Sequence, residues 1–228
     1  MRRCVLLCSS FLAVVSASYA GTCSSGSLAD YIALGPGSCS IGYNTFYNFQ
    51  ALAGSFGNTE IDPATATVTP LGASTSPGFM ISVTVTASPP YGGEELMFNY
   101  NVKGGIYTGE VMTLSNASEP TDGGVTDTIN YCENGTFGPD GVDGCTSGMT
   151  GGTALDDGVM NQDTFTFDPP YFLSLTDDLV ITAGATDPAT GGTITDQLTS
   201  VPEPASYWMT GLGILVALSV KQRPAPRN

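Results

Sequence analysis

Hydrophobic and polar residues alternate along two segments in the middle of the chain. In residues 79–87 the apolar side chains stand at every second position, and residues 96–103 repeat the pattern with Leu96, Phe98, Tyr100 and Val102 on one face. A period of two is typical of β-strands that bury one face. The same pattern predicts further strands at residues 66–69, 106–114, 125–131, 164–167, 171–175, 179–186 and 193–199.

Glycine and proline separate these segments. Gly104 and Gly105 lie between two candidate strands and predict a two-residue hairpin loop. Only residues 28–33 suggest a short helical turn. About nine short strands without a long helix predict an all-β fold, an antiparallel β-sandwich of the jelly-roll-like type.

The first residues have the layout of a secretory signal peptide. Arg2 and Arg3 precede an apolar stretch over residues 4–15, and the small residues Ser18 and Ala20 suit cleavage before Gly21. This order of a charged start, an apolar centre and a small-residue site marks proteins for export. The sequence therefore predicts a signal peptide over residues 1–20, cleaved between Ala20 and Gly21.

The other end joins a proline-rich junction to an uncharged hydrophobic segment, residues 205–220. As a helix this segment would be about 24 Å long, which makes it a marginal single transmembrane helix. Basic residues after the span favour a cytoplasmic terminus and leave the rest of the chain outside. The junction consists of Val201, Pro202, Glu203 and Pro204, and the basic end contains Lys221, Arg223 and Arg227.

The tail over residues 201–228 resembles the PEP-CTERM sorting signal, which combines a Pro-Glu-Pro triplet, a hydrophobic helix and a basic end. The resemblance implies that a membrane-embedded exosortase recognises the triplet and that the tail is removed during sorting. It also implies a Gram-negative bacterium that makes exopolysaccharide. Residues 27–32 and 39–49 resemble the opening of many such exported proteins, which implies one exported domain over residues 21–200.

The charge of the chain is strongly acidic and unevenly distributed. The 228 residues include 6 basic and 21 acidic side chains and no histidine, a net charge of −15. Residues 21–200 hold only Lys103 against 20 acidic residues, so this part alone carries −19. Such a charge keeps a protein soluble and repels a phosphate backbone, which excludes nucleic acid as a partner.

Four cysteines remain after removal of the signal peptide. An even number in an exported chain predicts two disulfides, and four cysteines allow three pairings. Local pairing, Cys23 with Cys39 and Cys132 with Cys145, is the simplest, and each bond would close a short loop. Metal binding by these thiolates is the weaker alternative, because there is no histidine and no close Cys-x-x-Cys pair.

The sequence offers little for catalysis. Residues 21–200 contain no histidine, no arginine and no G-x-S-x-G pattern, so the usual general bases and oxyanion-stabilising groups are missing. A glycoside hydrolase needs only two carboxylates. The candidate doublets, Glu94 with Glu95, Asp156 with Asp157 and Asp177 with Asp178, are interpreted as strand neighbours on opposite faces or solvated turn residues. The prediction is a protein that is not an enzyme.

A calcium site in an acidic, glycine-rich loop within residues 132–163 is a further alternative. Oxygen ligands on flexible loops suit Ca²⁺, but no EF-hand pattern is present. A solvated surface loop, held by a disulfide, is the preferred interpretation, and no cofactor is expected. The candidate ligands for the alternative are Asp140, Asp143, Asp156 and Asp157.

These features predict a non-catalytic exported protein of the cell surface or extracellular matrix. Its expected partners are the secretion machinery, an exosortase, the inner membrane during transit and exopolysaccharide. A carbohydrate-binding β-sandwich module is the alternative, and a glycoside hydrolase the third hypothesis. Tyr43, Phe46, Tyr47 and Phe49 could stack on sugar rings, but packing in the core is the preferred interpretation.

Overall fold

The structure is a computed structural model that describes residues 20–54, 57–72, 75–138, 145–146, 149–156 and 162–202. Most of the expected signal peptide and the tail from Glu203 onward, with Lys221, Arg223 and Arg227, lie outside these residues. So do three of the four candidate loop ligands, Asp140, Asp143 and Asp157. Within the described part, no helix is long and apolar enough to cross a bilayer.

The described residues form two large β-sheets, one small strand pair and one short helix. The strands of the first half are β1 Gly21–Thr22, β2 Gly26–Ser27, β3 Ser38–Ile41, β4 Asn44–Leu52, β5 Thr59–Glu60, β6 Thr67–Leu71, β7 Gly78–Ser82, β8 Thr86–Ala87 and β9 Gly93–Lys103. Those of the second half are β10 Gly105–Ser115, β11 Gly124–Glu133, β12 Met149–Asp156, β13 Gln162–Thr166, β14 Phe172–Thr182, β15 Ala189–Thr190 and β16 Thr193–Pro202.

The two sheets pack face to face, so the predicted all-β, sandwich-like architecture is confirmed. Sheet 1 has the order β1-β3-β4-β9-β14-β11-β12, with β5 beside β9, and sheet 2 has the order β13-β10-β16-β7-β6-β2. The strands pair antiparallel, except that β1 runs parallel to β3 and β5 runs parallel to β9. Strands β8 and β15 form the separate pair.

The core lies between the sheets and is rich in aromatic side chains. Phe46 of sheet 1 contacts Phe79 of sheet 2 with 4.8 Å between ring centroids, and Tyr100 packs 5.8 Å from the same Phe79 ring. The alternation predicted for residues 96–103 is observed, because Leu96, Phe98, Tyr100 and Val102 all belong to the core. Burial of these large rings supplies much of the hydrophobic stabilisation of the sandwich.

A bulge in β4 decides which of its aromatic residues reach the core. On a regular strand, Phe46 and Phe49 would point to opposite faces, because they are three residues apart. The register shifts between Tyr47 and Gln50, and Asn48 has φ +58°, a conformation that asparagine tolerates. Both phenylalanines are therefore buried, as predicted, whereas Tyr47 is only half-buried and faces outward.

The helical turn expected near residues 28–33 is present as α1, Leu28–Ile32. Ser27 caps the helix: its hydroxyl accepts a hydrogen bond from the Asp30 N–H, and the Asp30 carboxylate accepts one from the Ser27 N–H. This reciprocal capping box satisfies backbone donors that a helix start leaves unpaired. Leu28 and Tyr31 face the core, so the helix closes one end of the sandwich.

The predicted hairpin at Gly104 and Gly105 is wrong. Strand β9 belongs to sheet 1 and β10 to sheet 2, and β10 pairs with β13 and β16 instead. Gly104, with φ +108°, turns the chain from one sheet to the other. The alternation pattern could not distinguish these connections, since both strands bury one face in either arrangement.

The predicted division between residues 171–175 and 179–186 is also wrong. A single strand, β14, runs from Phe172 to Thr182 and carries Asp177 and Asp178 in its middle. Backbone pairing with β9 and β11 on both sides holds these residues in the sheet. Conversely, the predicted strand at residues 79–87 is divided between β7 and β8.

Both local disulfides are present. Cys23 is bonded to Cys39 at a sequence separation of 16, and Cys132 to Cys145 at a separation of 13. The first bond ties Cys23, between β1 and β2, to β3, and the second ties the end of β11 to the segment that follows it. Disulfides persist in oxidising compartments, so this pair of bonds indicates an extracytoplasmic location.

Candidate functional site

Four carboxyl groups meet in the interior of the sandwich. Asp127 on β11 and Asp177 on β14 belong to sheet 1, whereas Glu110 on β10 and Asp196 on β16 belong to sheet 2. Each residue is at most 1% exposed. We call Glu110, Asp127, Asp177 and Asp196 the interior carboxylate cluster.

The pleat of each strand places these acids at core positions. Asp177 stands between Leu175 and Leu179 on the inward face of β14, and both leucines belong to the core. Successive side chains of a strand alternate between faces, so a residue two positions from each leucine must also point inward. The other aspartates stand in the same way, Asp127 between Val125 and Ile129, and Asp196 between Ile194 and Leu198.

The carboxyl groups lie close together. One carboxylate oxygen from each of Asp127, Asp177 and Asp196 lies within 4.8 Å of the corresponding oxygens of the other two. Apart from the contact between Asp177 and Asp196 themselves, the oxygens of Glu110, Asp177 and Asp196 accept no hydrogen bond from the described residues. The carboxyl groups of Asp177 and Asp196 face each other, so a proton on one could be donated to the other.

Burial and mutual repulsion shift the cluster strongly toward the protonated form. Burial raises the pKa of Asp177 well above its usual range, and the negative charges of Asp196 and Asp127 raise it further. Burial raises the pKa of Asp196 to about 7, although a hydrogen bond from Asp177 opposes the rise. The pKa of Glu110 is also well above its usual range, first because of burial and then because of the charges of Asp196 and Asp127.

The described part of the chain supplies no cation to this cluster. Lys103 is the only basic residue between positions 21 and 202, and it is exposed on the outer face of sheet 1 with its Nζ 4.9 Å from the centre of the Tyr47 ring. Buried carboxylates without a counter-charge are strongly unfavourable, because the charges lose their hydration. The cluster therefore requires bound protons or a cation that the described residues do not supply.

The outer face of sheet 1 carries a different arrangement, a groove bordered by side-chain amides. Ser174 Oγ lies 2.7 Å from Asn101 Oδ1 and 2.9 Å from the Gly135 carbonyl oxygen. A hydroxyl has one proton, so both contacts are satisfied if the Asn101 amide donates to Ser174 and Ser174 donates to Gly135. We call this feature the amide groove; its lining comprises Asn48, Gln50, Asn99, Asn101, Thr136, Phe137, Gly138 and Ser174.

An aromatic patch continues the amide groove along the same strands. Lys103 stands opposite Phe172 in the register of β9 and β14, two residues from the pair Asn101 and Ser174. The Tyr47 and Phe172 rings are stacked with 6.3 Å between centroids. Together with the exposed Tyr171, these residues line a shallow pocket at the end of the groove.

The opposite end of this face carries a second acid pair, Glu95 and Asp178. Burial raises the pKa of Asp178 to about 7, and the negative charge of Glu95 contributes to the rise. The Asn58 amide donates a hydrogen bond to Glu95 Oε2 over 2.8 Å, so this acid pair has a neutral hydrogen-bond donor. Glu94 with Glu95 and Asp177 with Asp178 are neighbours within β9 and β14, which agrees with the interpretation as strand neighbours on opposite faces. The alternative, solvated turn residues, is wrong for Glu95 and Asp177, which are buried.

Some of the candidate residues named in the sequence analysis lie at strand ends, and others lie outside the described residues. Ala20 is half-buried before β1, Gly21 is exposed at its start, and Val201 and Pro202 end β16 opposite Ile106 and Gly105. Glu203 and Pro204 lie outside the described residues, as do Asp140, Asp143 and Asp157. Asp156 is the last residue of β12 and lies opposite Asp127 in the β11–β12 register.

The interior cluster was missed because its members are far apart in sequence. A signal was nevertheless present: Asp127 occupies an odd position in residues 125–131, where Val125, Ile129 and Tyr131 share the inward face. An acid on the apolar face of a strand is unusual, since carboxylates are rarely fully buried without a partner. No protein-family model matches the chain, and no similar sequence is found among curated proteins.

Proposed function

We propose that this chain is a non-catalytic exported protein that reaches the cell surface or extracellular matrix and associates with exopolysaccharide there. The observation that carries the proposal is the disulfide-bonded, acidic sandwich with a polar and aromatic face left open to solvent. Both ends of the sequence favour the same destination: the beginning resembles a signal peptide, and the tail resembles a PEP-CTERM signal. The proposal includes two structural features: a jelly-roll-like arrangement of the strands, and a transmembrane helix in the C-terminal tail.

Carbohydrate binding by the outer face of sheet 1 is the second candidate function. Sugars present hydroxyl groups and apolar ring faces, so a site for them combines amide hydrogen bonds with aromatic surfaces. The amide groove and the aromatic patch lie end to end on neighbouring strands and offer both.

The described carboxylates give no support to a glycoside hydrolase. The interior cluster brings carboxylates together, but its members are at most 1% exposed, so a sugar cannot reach them. A hydrolase requires two carboxylates on either side of the bond that breaks. The outer acid pair, Glu95 and Asp178, lies at the opposite end of the face from the aromatic patch.

A glycan array probed with the purified exported protein tests carbohydrate association. We expect Tyr47→Ala combined with Phe172→Ala to weaken binding by about tenfold, which corresponds to roughly 1.4 kcal/mol. Leu34→Ala, which removes another exposed hydrophobic side chain, should leave binding unchanged. If the exported protein binds no glycan, or if the aromatic variant binds as well as the parent protein, carbohydrate binding by this face is wrong.

Sorting through the tail is tested separately. The short hydrophobic span should hold the protein only transiently and present Pro202–Glu203–Pro204 to an exosortase at the membrane surface. Glu203→Ala should leave export intact but retain the protein in the inner membrane, whereas Gln222→Ala should be sorted normally. Mass spectrometry of the surface fraction decides the matter: peptides from residues 211–227 found there would mean that the tail is a permanent anchor.

A further inference from the structure

We propose that the interior carboxylate cluster binds a calcium ion that joins the two sheets of the sandwich. This inference is independent of carbohydrate binding, which concerns the opposite face of sheet 1. It also differs from the loop site considered in the sequence, because the cluster consists of Glu110, Asp127, Asp177 and Asp196.

The geometry suits a single ion. Calcium binds oxygen ligands at about 2.3–2.6 Å, so two ligands of one ion lie at most about 5 Å apart. The oxygens from Asp127, Asp177 and Asp196 meet this limit, since all three lie within 4.8 Å of one another. They come from both sheets, so a bound ion would hold β11 and β14 against β16.

Glu110 provides a second and independent observation. It is 1% exposed, and neither of its carboxylate oxygens has a hydrogen-bond partner among the described residues. Glu110 lies opposite Leu198 in the β10–β16 register, two residues from Asp196 on the same inward face, and its charge interacts with those of Asp196 and Asp127. A buried, unpartnered acceptor costs free energy, and a cation in the cluster would remove that cost.

The donor set favours calcium over other common metals. The cluster offers only carboxylate oxygens, whereas zinc sites usually include histidine or cysteine, and this chain has no histidine. Magnesium is reluctant to lose its bound water, and the cluster is closed to solvent. Calcium accepts six to eight oxygen ligands in flexible geometry, and bidentate carboxylates supply several of them.

Burial also determines when the ion would enter. With every member at most 1% exposed, the folded sandwich gives solvent no direct access to the cluster. We therefore expect the chain to bind calcium as it folds, so that the free energy of calcium binding contributes to the free energy of folding. An ion bound in this way would exchange slowly and would resist removal by a chelator.

The test is refolding of the purified exported protein, with its disulfides intact, in calcium or in chelator. At free calcium about one hundred times the Kd, we expect Tm to be higher by roughly 5–10 °C than in chelator. Elemental analysis after dialysis should find one calcium per chain, and magnesium should not replace it. Equal Tm values and no retained calcium would overturn the proposal and leave a cluster that holds only protons.

Matched variants assign the ion to the cluster. Asp177→Asn combined with Asp196→Asn should abolish both the calcium-dependent rise in Tm and the retained calcium. Asp187→Asn, the same change at an exposed position, should preserve both. Asp140→Asn with Asp143→Asn should also preserve them; if these loop changes remove the effect and the cluster changes do not, the proposal is wrong.

A milder variant keeps the test decisive if the double variant does not fold. Glu110→Gln removes one charge and retains the shape of the side chain. It should weaken calcium binding by about tenfold in calorimetric titration during refolding. Unchanged affinity in Glu110→Gln, with calcium still retained, would exclude the cluster as the binding site.

Discussion

Buried polar groups have different kinds of partner on the two faces of sheet 1. On the outer face, Ser174 and Asn101 are almost completely buried, and Ser174 contacts both Asn101 and the Gly135 carbonyl. On the inner face, three residues along the same strand, Asp177 is equally buried, and its oxygens accept no hydrogen bond from a neutral group of the described residues. Neutral groups that both donate and accept can satisfy one another, whereas ionised carboxylates can only accept.

This difference means that protein atoms alone satisfy the hydrogen bonds of Ser174 on the outer face, whereas the interior carboxylate cluster also needs bound protons or a cation. The hydrogen bonds that join Ser174 to Asn101 and Gly135 in the amide groove use only atoms of the chain, so their contribution to stability should be insensitive to pH and to metal ions. The interior carboxylate cluster needs protons or a cation, so its contribution must depend on both. The contrast also separates the two proposals, because carbohydrate binding is assigned to the outer face of sheet 1 and calcium binding to the interior carboxylate cluster.

The largest expected effect is the pH dependence of the chelated protein. Burial raises the pKa of Asp196 from 3.8 to about 7, and the pKa values of Asp177 and Glu110 lie well above their usual range. Between pH 5 and pH 7 the folded state therefore binds more protons than the unfolded state, and the free energy of unfolding falls as pH rises. Asp196 alone accounts for about 2 kcal/mol over this range, or roughly 4–8 °C in Tm.

Calorimetry in the presence of a chelator, between pH 5 and pH 7, measures this change in the free energy of unfolding. The groups that face the cluster are its four acids and Tyr100, whose pKa is raised by burial and by the acids around it. Asp178→Asn serves as the control, because the pKa of Asp178 is also about 7 and its titration must be separated from that of the cluster. Asp177→Asn combined with Asp196→Asn should make the profile shallower, and stability that increases with pH in the parent protein would contradict the prediction.

Loss of the second disulfide should affect the outer face and spare the interior. Cys132→Ser with Cys145→Ser removes a bond across a separation of 13 residues and should cost about 3 kcal/mol of stability. Residues 136–138 lie between these cysteines and line the amide groove, so glycan binding should weaken as well. Denaturant unfolding and the glycan array measure the two effects.

The first disulfide provides the matched control. Cys23→Ser with Cys39→Ser removes a bond across a similar separation, 16 residues, and should cost a similar free energy. Neither cysteine lines the groove, so glycan binding should persist. Equal loss of glycan binding in both disulfide variants would mean that general destabilisation, and not the shape of the groove, explains the result.

Removal of the Ser174 hydroxyl should produce a smaller loss. Ser174→Ala leaves the Gly135 carbonyl and the Asn101 amide without this partner, at a cost of about 1–3 kcal/mol. The loss should be the same at pH 5 and pH 8 and with or without calcium. Ser82→Ala, at a half-buried hydroxyl 3.1 Å from that of Thr193, should cost less than about 1 kcal/mol.

Equilibrium unfolding in denaturant compares these two variants. A cost for Ser174→Ala that changes with pH or calcium would show that the two faces of sheet 1 are coupled. The simple contrast between a self-contained outer network and a dependent interior cluster would then fail.

The smallest expected effect concerns Lys103. Its ammonium group lies 4.9 Å from the centre of the Tyr47 ring at an exposed position, so Lys103→Met should cost about 0.5–1 kcal/mol. Lys103→Arg should retain the interaction. A loss well above 1 kcal/mol in Lys103→Met, measured by denaturant unfolding, would mean that the lysine balances charge in the acidic protein beyond its contact with Tyr47.

Local patterns in the sequence determined much of this fold. Alternation in residues 96–103 identified the inward face of β9, and the close spacing of Cys23 with Cys39 and of Cys132 with Cys145 favoured the disulfides that form. The short helical turn near residue 28 was also recognisable. These features depend on neighbours along the chain, where strand pleat and short loop closure act directly.

Only the tertiary structure decided how these elements meet. The same alternation allows β9 and β10 to form a hairpin or to cross between sheets, and the sheet order determines which occurs. The sequence pattern predicted two strands, before and after Asp177 and Asp178, but pairing with β9 and β11 keeps both residues in one strand, and Asp177 is buried. The interior carboxylate cluster arises because distant positions of four strands face one another across the sandwich, a relation that no local pattern contains.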